Sequence, residues 1–189
     1  MNICVFGASS DRIDESYIHA VEALGERMAE RGHRLVYGGS AHGLMGAVAR
    51  GVHKAGGKIL GITPRFFDVD GKNFPYCTEL RYTETMRERK QVMEECSEAV
   101  VMVPGSIGTF DEFFEILTLK QLARHNKPIA IYNANGYFDA MQKMLETAVE
   151  QEFMPAENLE LYRCFTDREE LLAYVETYGC QQNEADSEK

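Results

Sequence analysis

The 189-residue chain has no tryptophan, only five prolines and five cysteines, and no long apolar run. A membrane-spanning helix needs about 20 apolar residues, so no such segment is predicted. The N-terminal stretch from Met1 to Gly7 is a short apolar strand without the regions of a secretory signal. The odd number of cysteines, none in C-x-x-C spacing, argues against a disulfide framework or a zinc site. These absences predict a reduced, cytoplasmic protein that does not use a membrane.

Positive charge is also scarce, because 20 lysines and arginines face 30 aspartates and glutamates, a formal net charge of −10. Proteins that bind nucleic-acid polymers need a basic surface that neutralises phosphates. The composition therefore excludes a nucleic-acid polymer as partner. A small anionic ligand stays possible, since it requires only a local basic pocket.

Short β-branched runs alternate with helical apolar patterns along the chain. Strands are predicted at 3–6, 34–37, 58–62, 79–82, 100–103, 128–132 and 162–165, and helices at 15–31, 43–55, 85–96, 110–122, 136–150 and 167–178. This alternation predicts one α/β domain over residues 1–180, Rossmann-like, with a mostly parallel sheet covered by helices on both faces. Residues 63–78 form a long connection that is a candidate lid. Residues 181–189 contain one apolar residue, Ala185, and are predicted to be a disordered tail.

A glycine-flanked turn separates the strand at 100–103 from the helix that follows it. Gly105 and Gly108 allow the backbone to turn sharply and approach a ligand, and the free N–H groups of the next helix would face an anion. Glu112 is expected on the first turn of that helix, where its carboxylate can reach the same crevice. The pair Thr109 and Glu112 also has the spacing of a capping box, which is an open alternative.

Two further stretches contain candidates for anion binding. The loop that begins at Gly38 leads into a helix whose first turn contains Gly43, and His42 beside it is interpreted as a solvated loop histidine. On the helix before the central turn, Arg89 and Lys90 lie among apolar neighbours on one face. Such a face is usually only solvated, but two cations there could also hold an anionic substrate. The loop after the first strand is not G-x-G-x-x-G, which lowers the expectation of a dinucleotide oxidoreductase.

Taken together, three stretches resemble the signature of the Lonely Guy family, the cytokinin riboside 5'-monophosphate phosphoribohydrolases, also labelled lysine decarboxylase-like. The family's Pro-Gly-Gly-x-Gly-Thr-x-x-Glu stands here as Pro104-Gly105-Ser106-Ile107-Gly108-Thr109-Phe110-Asp111-Glu112. Its Gly-Gly-Gly-x-x-Gly-Leu-Met-Gly loop stands as Gly38-Gly39-Ser40-Ala41-His42-Gly43-Leu44-Met45-Gly46, and its Arg-Lys pair as Arg89-Lys90. A serine replaces one glycine in each loop. The three motifs occur in the family's order within roughly residues 1–150.

The resemblance implies hydrolysis of the N-glycosidic bond of a nucleoside 5'-monophosphate, which releases a free base and ribose 5-phosphate without a metal or organic cofactor. It implies Arg89 and Glu112 as catalytic residues. The residues implied in substrate binding are Gly39, Ser40, Gly43, Lys90, Gly105, Ser106, Ile107, Gly108, Thr109, Phe110, Asp111 and Thr118. Ser40 and Ser106 occupy space that glycine would leave open, and their hydroxyls could donate hydrogen bonds to a phosphate.

Several alternatives remain open at this stage. A true lysine decarboxylase would need a pyridoxal phosphate site, which nothing in the sequence resembles. A non-catalytic nucleotide-binding module would keep the glycine loops without needing Arg89 or Glu112. An enzyme acting mainly on AMP cannot be separated from one acting on cytokinin nucleotides. Finally, the helix at 110–122 is apolar nearly all round, which favours a homodimer interface over a helix covered by its own chain.

Overall fold

The computed structural model describes residues 1–67 and 72–187, with side chains up to Tyr178. The strands are β1 (Asn2–Phe6), β2 (Arg34–Tyr37), β3 (Ile59–Pro64), β4 (Glu79–Thr83), β5 (Ala99–Met102), β6 (Ile129–Tyr132) and β7 (Arg163–Phe165). The helices are α1 (Glu15–Glu30), α2 (Gly43–Lys54), α3 (Met86–Glu95), α4 (Ile107–Gln121), α5 (Asp139–Glu150) and α6 (Arg168–Ser187). Each predicted strand and helix is present, with ends shifted by at most three residues except in the last helix.

Within the described residues, the seven strands form one parallel sheet in the order β4-β3-β2-β1-β5-β6-β7. The chain therefore builds outward from β1 in one direction first and then in the other. In sheets of this kind the strand order reverses at one point, and the crevice outside the carboxyl ends of the strands there is the usual ligand site. Here the reversal lies between β1 and β5, so the loops that follow these two strands face the expected site.

Helices cover both faces of the sheet, which confirms the predicted α/β class. One apolar cluster joins the sheet to α1, α2 and α6, with Leu24, Val48 and Leu171 fully buried. The other joins it to α3, α4 and α5, and includes Met93 and Phe113. The sheet is apolar on both faces because each face is buried under a helical layer. No helix in the described ranges is long and apolar enough to cross a bilayer.

Helices α1 and α2 pack unusually closely because glycine faces backbone at both contact points. A β-carbon at Gly51 would lie 2.0 Å from the carbonyl oxygen of Glu22, and one at Gly25 would lie 2.3 Å from that of Val48. Backbone atoms cannot rotate away as a side chain can. Any side chain at either glycine must therefore push the two helices apart.

We expect Gly51→Ala to lower the free energy of unfolding by about 1–3 kcal/mol, the usual cost of overpacking, although alanine favours helix. Gly108→Ala is the matched control, because a β-carbon at this other helical glycine would meet no atom within 4 Å. Its unfolding free energy should stay the same or rise by less than about 1 kcal/mol. Urea denaturation of both variants measures the difference, and equal values would show that helix contact does not require Gly51.

Two expectations from the sequence concern segments that the structure describes only in part. Helix α6 continues to Ser187, over most of the segment expected to be a disordered tail, since Gln, Glu and Ala in this stretch are good helix formers. The candidate lid at 63–78 begins as the end of β3 and a short 3₁₀ turn, Arg65–Phe67, and Ser40 later pairs with Asn73 as an isolated bridge. Residues 68–71 and 188–189 lie outside the described part of the chain.

Candidate functional site

Arg89 of α3 and Glu112 of α4 form an ion pair beside the carboxyl end of the sheet. Nη1 of Arg89 donates to Oε1 of Glu112 at 2.7 Å, and the two side chains are only 8% and 11% exposed. Nε of Arg89 donates to the carbonyl oxygen of Ile62 at 3.1 Å, at the end of β3. The two residues that the family motifs single out are thus brought together although 23 positions separate them.

The first glycine of the Gly38 loop makes room for this arginine. A β-carbon at Gly38 would lie 1.9 Å from Nη2 of Arg89 and 2.5 Å from the terminal methyl carbon of Met45. Because the guanidinium is also held by Ile62 and Glu112, it has little freedom to move aside. Arg89 can therefore occupy this position only because residue 38 has no side chain.

Burial raises the pKa of Glu112 above its ordinary value, and the positive charge and hydrogen bond of Arg89 oppose this shift only in part. A carboxylate with a raised pKa is a better proton acceptor than an exposed one. The arrangement gives the site one buried carboxylate that can accept a proton, held in place by one cation.

The turn before α4 is not a capping box. Helix α4 begins at Ile107 with Ser106 as the N-cap, so Thr109 lies inside the first turn and Glu112 in the second. Ser106 makes no side-chain cap hydrogen bond, and Glu112 pairs with Arg89 instead of reaching back to the helix start. The capping-box alternative is wrong, as is the expectation of Glu112 on the first turn, because the helix starts three residues before the predicted position at Phe110.

The glycines of this turn have different roles. A β-carbon at Gly105 would lie 2.0 Å from Oγ1 of Thr109, so Gly105 allows this buried hydroxyl to pack against the turn. A β-carbon at Gly108 would meet no atom within 4 Å, and the side chain of Ile107 is 86% exposed. The start of α4 therefore has an open approach, and the positive end of its dipole faces this approach.

Two cavities meet near the carboxyl ends of β1 and β5, where the strand order of the sheet reverses. One, of about 430 Å³, is lined by Ser9, Asp11, Gly38, Ser40, His42, Met45, Thr63, Phe67, Lys72, Asn73 and Arg89. The other, of about 380 Å³, is lined by Ala8, Ser9, Ser10, Ile13, Tyr17, Leu44, Pro104, Gly105, Ser106 and Tyr137. We call them the Arg89 cavity and the Gly105 cavity. Ser9 borders both, so together they form one extended site along the ends of β1, β2 and β5.

Glu112 itself lines a narrower groove of about 210 Å³ between α3 and α4, together with Arg87, Lys90 and Glu115. Arg89 lies between this groove and the Arg89 cavity, since it lines the latter and bonds to Glu112. The carboxylate thus lies behind the arginine.

Several residues of the predicted binding set already have protein partners. The N–H group of Gly43 donates to Oδ1 of Asp11 at 3.0 Å. Lys90 forms ion pairs with Asp111, at 3.0 Å, and with Glu115. Gly39 adopts a φ of +80° and its carbonyl oxygen accepts from the N–H group of Phe74 at 2.8 Å, which holds the long loop to the site.

The remaining members of the set lie on a different surface. Phe110, Asp111 and Thr118 line a broad depression of about 620 Å³ on the outer side of α4, together with Ile107, Phe114, Glu115 and Leu119. Within one chain, the structure does not place Thr118 in either cavity near Arg89. This outer depression is separate from the Arg89 cavity and is mainly apolar.

Sequence reasoning missed the pairing of Asp11 with His42. Oδ2 of Asp11 lies 2.7 Å from Nδ1 of His42, which is 44% exposed in the wall of the Arg89 cavity and not simply solvated. Tyr137 was also missed, and its hydroxyl donates to the carbonyl oxygen of Gly105. Neither contact has a local sequence signal, since 31 and 32 positions separate the partners.

Comparison with known proteins is consistent with these features. A family model described as "Possible lysine decarboxylase" matches residues 45–175. A probable cytokinin riboside 5'-monophosphate phosphoribohydrolase of Oryza sativa subsp. japonica is 35% identical over 179 residues, which cover 93% of this chain and 72% of the relative. A cytokinin riboside 5'-monophosphate phosphoribohydrolase of Arabidopsis thaliana is 34% identical over 177 residues, which cover 94% and 82%.

Among solved structures, a molybdenum cofactor binding protein from Rippkaea orientalis aligns with a TM-score of 0.71 over 94% of this chain and 96% of its own. Its sequence identity is 18%, so this likeness concerns the fold alone.

Proposed function

The chain belongs to the Lonely Guy family of cytokinin riboside 5'-monophosphate phosphoribohydrolases, the family also described as possible lysine decarboxylases, and from this membership we propose that it hydrolyses nucleoside 5'-monophosphates. The products are a free base and ribose 5-phosphate. It is an enzyme of the nucleotide phosphoribohydrolase class and not a pyridoxal-phosphate decarboxylase. The substrates proposed are cytokinin riboside 5'-monophosphates, AMP, or both.

The observation that carries this proposal is the buried ion pair of Arg89 and Glu112 at the carboxyl end of a parallel sheet, next to two glycine-bounded cavities. A structural ion pair could form anywhere in the fold. This one joins two separate family motifs, and a third motif makes space for it at Gly38. A module that only binds nucleotides would not need a buried carboxylate at this place.

Cleavage of the N-glycosidic bond leaves positive charge on the ribose ring, so a nearby carboxylate stabilises the transition state. Glu112 is proposed for this role and as the base that takes a proton from the attacking water. Arg89 is proposed to hold Glu112 ionised and to contact the substrate, because its guanidinium faces both the carboxylate and the cavity. Arginine can bind an anion or a ribose hydroxyl while it keeps one hydrogen bond to the carboxylate.

The 5'-phosphate is proposed to bind at the start of α4, where the turn from Gly105 to Thr109 presents backbone N–H groups. Ser106, the N-cap, is exposed and makes no cap hydrogen bond, so its hydroxyl is available to a phosphate. The hydroxyl of Ser40 accepts from the N–H group of His42 at 3.1 Å and can still donate its own hydrogen. Each serine thereby supplies a donor where the family motif has glycine.

The raised pKa of Glu112 predicts the acid side of the pH profile. Glu112 acts as a base only when ionised, so activity falls as the pH drops through its raised pKa. We expect the acidic limb of kcat at saturating AMP to lie above the ordinary glutamate value of about 4.3. At saturating AMP, kcat reports only the enzyme–substrate complex, so the ionisation of free AMP does not affect this pH profile. An acidic limb at or below the ordinary value would show that burial does not control this carboxylate.

The activity is tested by chromatography of the free base released from AMP, from isopentenyladenosine 5'-monophosphate and from adenosine. Both nucleotides should be cleaved and adenosine much less, because adenosine lacks the phosphate that the start of α4 would hold. The ratio of the two nucleotide rates decides between a cytokinin-activating enzyme and an AMP hydrolase. Binding of AMP without any release of base would instead favour a non-catalytic nucleotide-binding module.

A homodimer through the outer depression of α4 is also proposed. Ile107, Phe110, Phe114 and Leu119 line this depression, and Ile107 is almost fully exposed. Large apolar patches are rarely left open on monomers, and a two-fold axis would place this face against its own copy. The inner side of α4 is covered by its own chain, since Phe113 and Ile116 are buried.

One chain has a mass of 21.4 kDa, and sedimentation equilibrium at micromolar concentration is expected to give twice that mass. Phe114→Glu should shift the mass to that of one chain, because a charge within the apolar face opposes burial. A monomer already in the wild type would remove this interface from the account.

A further inference from the structure

The Arg89 cavity contains a histidine that the hydrolytic scheme above does not use. His42 is the residue before α2, and it lines this cavity together with Arg89, Ser40 and Met45. Its side chain is 44% exposed, so the ring is neither buried in the core nor free in solvent. The residue occupies an unspecified position of the glycine motif, so the motif itself does not require a histidine there.

Asp11 orients this ring. Its Oδ2 accepts from Nδ1 of His42 at 2.7 Å, while its Oδ1 accepts from the N–H group of Gly43 at 3.0 Å. The hydrogen bond from the Gly43 N–H group lowers the pKa of Asp11, and the hydrogen bond with His42 lowers it by a smaller amount. The carboxyl group therefore stays ionised. An ionised carboxylate on Nδ1 places a proton on that nitrogen. The ring then exchanges protons through Nε2, which makes no hydrogen bond to any described residue.

Charged groups of both signs lie near the ring. Asp11 makes the direct hydrogen bond to it, at 2.7 Å. Lys72 and Arg89 line the same cavity, and the positive end of the α2 dipole lies at His42. The pairing with Asp11 therefore leaves Nε2 as the ring nitrogen available to a bound molecule in this cavity.

The proposed hydrolysis has one unfilled role. When the bond from the ribose carbon to the base breaks, the electron pair goes to the base, which is a poor leaving group as an anion. Most sugar-bond hydrolases use a second acid to protonate the leaving group. Glu112 already stabilises the charge on the ribose and takes the proton from the water, and Arg89 does not give up its proton. Among the described residues that line the Arg89 cavity, the one carboxylic acid is Asp11, which is itself bonded to His42 and Gly43.

We propose that His42, held by Asp11, is the general acid that protonates the departing base, an inference that rests on the proposed hydrolase function. The bond between C1' and the base breaks with its electron pair moving to the base. Nε2 of His42 gives its proton to a ring nitrogen of the base, and water adds its oxygen to C1'. Glu112 takes the proton that the water loses. Exchange with solvent then returns a proton to His42 and removes one from Glu112, so the net reaction consumes one water. Asp11 is a positioning residue in this scheme.

A purely structural role for the pair must be distinguished from this one. Asp11 links the loop after β1 to the first residue of α2, so its hydrogen bonds also fasten two loops together. Loss of that link would slow the cleavage of every substrate. Loss of a general acid slows only the cleavage of substrates whose leaving group needs a proton.

The test compares AMP with p-nitrophenyl ribofuranoside 5-phosphate, whose leaving group departs as a stable anion. For His42→Asn, kcat/KM should fall by about 10²–10⁴-fold on AMP and by less than about 10-fold on the nitrophenyl substrate. Asp11→Asn should show the same selectivity with a smaller loss on AMP. His53→Asn is the matched control, because His53 lies in the last turn of the same helix, α2, but does not line the cavity. Its ring stacks on that of Tyr76, with 4.4 Å between the ring centroids. This variant should leave both rates unchanged.

An equal loss on both substrates for His42→Asn would overturn the proposal and leave a structural role. An unchanged rate on AMP would overturn it as well. If the wild type does not cleave the nitrophenyl substrate, imidazole added to His42→Ala decides: restored AMP cleavage supports a general acid, and no restoration contradicts it. Failure of the hydrolase function itself looks different, because the wild type would then release no base from AMP.

Discussion

Glu112→Gln is expected to reduce the release of base from AMP by about 10²–10⁴-fold, the range typical of a lost acid–base group. Glutamine keeps the size of the side chain and can still accept a hydrogen bond from Arg89, but it has no negative charge and takes no proton. AMP should therefore still bind, since the start of α4 and both serines are unchanged. The measurement is kcat by chromatography together with Kd for AMP by calorimetry.

Glu115→Gln is the matched control for this variant. Glu115 lies on the same helix, lines the same groove between α3 and α4, and is also paired with a cation, Lys90. It is more exposed than Glu112 and does not contact Arg89. Its rate should stay within a few-fold of the wild type. Equal losses in the two variants would indicate that the general charge of the groove matters and that Glu112 has no special role.

Arg89→Met is expected to have the largest effect on stability, a loss of about 3–5 kcal/mol in the free energy of unfolding at neutral pH. The variant removes one partner of a buried ion pair and leaves the Glu112 carboxylate without its cation. The pKa of Glu112 should then rise further, since burial is no longer opposed by Arg89. A carboxyl group with a raised pKa in the folded state binds protons on folding, so the loss should shrink as the pH falls.

Two comparisons isolate this effect in urea denaturation. The double variant Arg89→Met with Glu112→Gln should be more stable than Arg89→Met alone, because no charge is left buried. Arg65→Met, which breaks the pair of Arg65 with Glu84 at two exposed side chains, should cost less than about 1 kcal/mol. If Arg89→Met costs no more than Arg65→Met, the buried pair does not contribute to stability as described.

The architecture could be predicted because it depends on local patterns. Strands such as Arg34–Tyr37 have the predicted ends, and Thr85 caps α3 by accepting from the N–H group of Glu88. Periodicity and turn residues act over a few positions, so a single sequence contains them. The end of α6 was harder, since a polar stretch without apolar periodicity can be either helix or coil.

The site could be predicted only in outline. The resemblance identified Arg89 and Glu112, and the structure brings these two together. It could not show that the N–H group of Gly43 is used by Asp11, or that Lys90 is held by two carboxylates, because these partners come from other segments. The contact of Asp11 with His42 could not be predicted for the same reason. It forms because β1 and β2 are parallel neighbours, so the loops that follow them begin at the same edge of the sheet.

The capping box shows why local patterns also mislead. Thr109 and Glu112 have the spacing of a cap, but the helix starts earlier, at Ile107, so Thr109 lies inside its first turn and Glu112 in its second. Thr109 packs on Gly105, and Glu112 binds Arg89 from α3. A spacing rule cannot detect a partner on another helix.

The hydrolase function is decided by a time course of AMP, free adenine and ribose 5-phosphate in one reaction with the purified wild type in phosphate-free buffer. We predict equal amounts of adenine and ribose 5-phosphate, each matching the AMP consumed, because water alone accepts the ribose. AMP that binds but is recovered unchanged would contradict the account, and the site would then be one for nucleotide binding only.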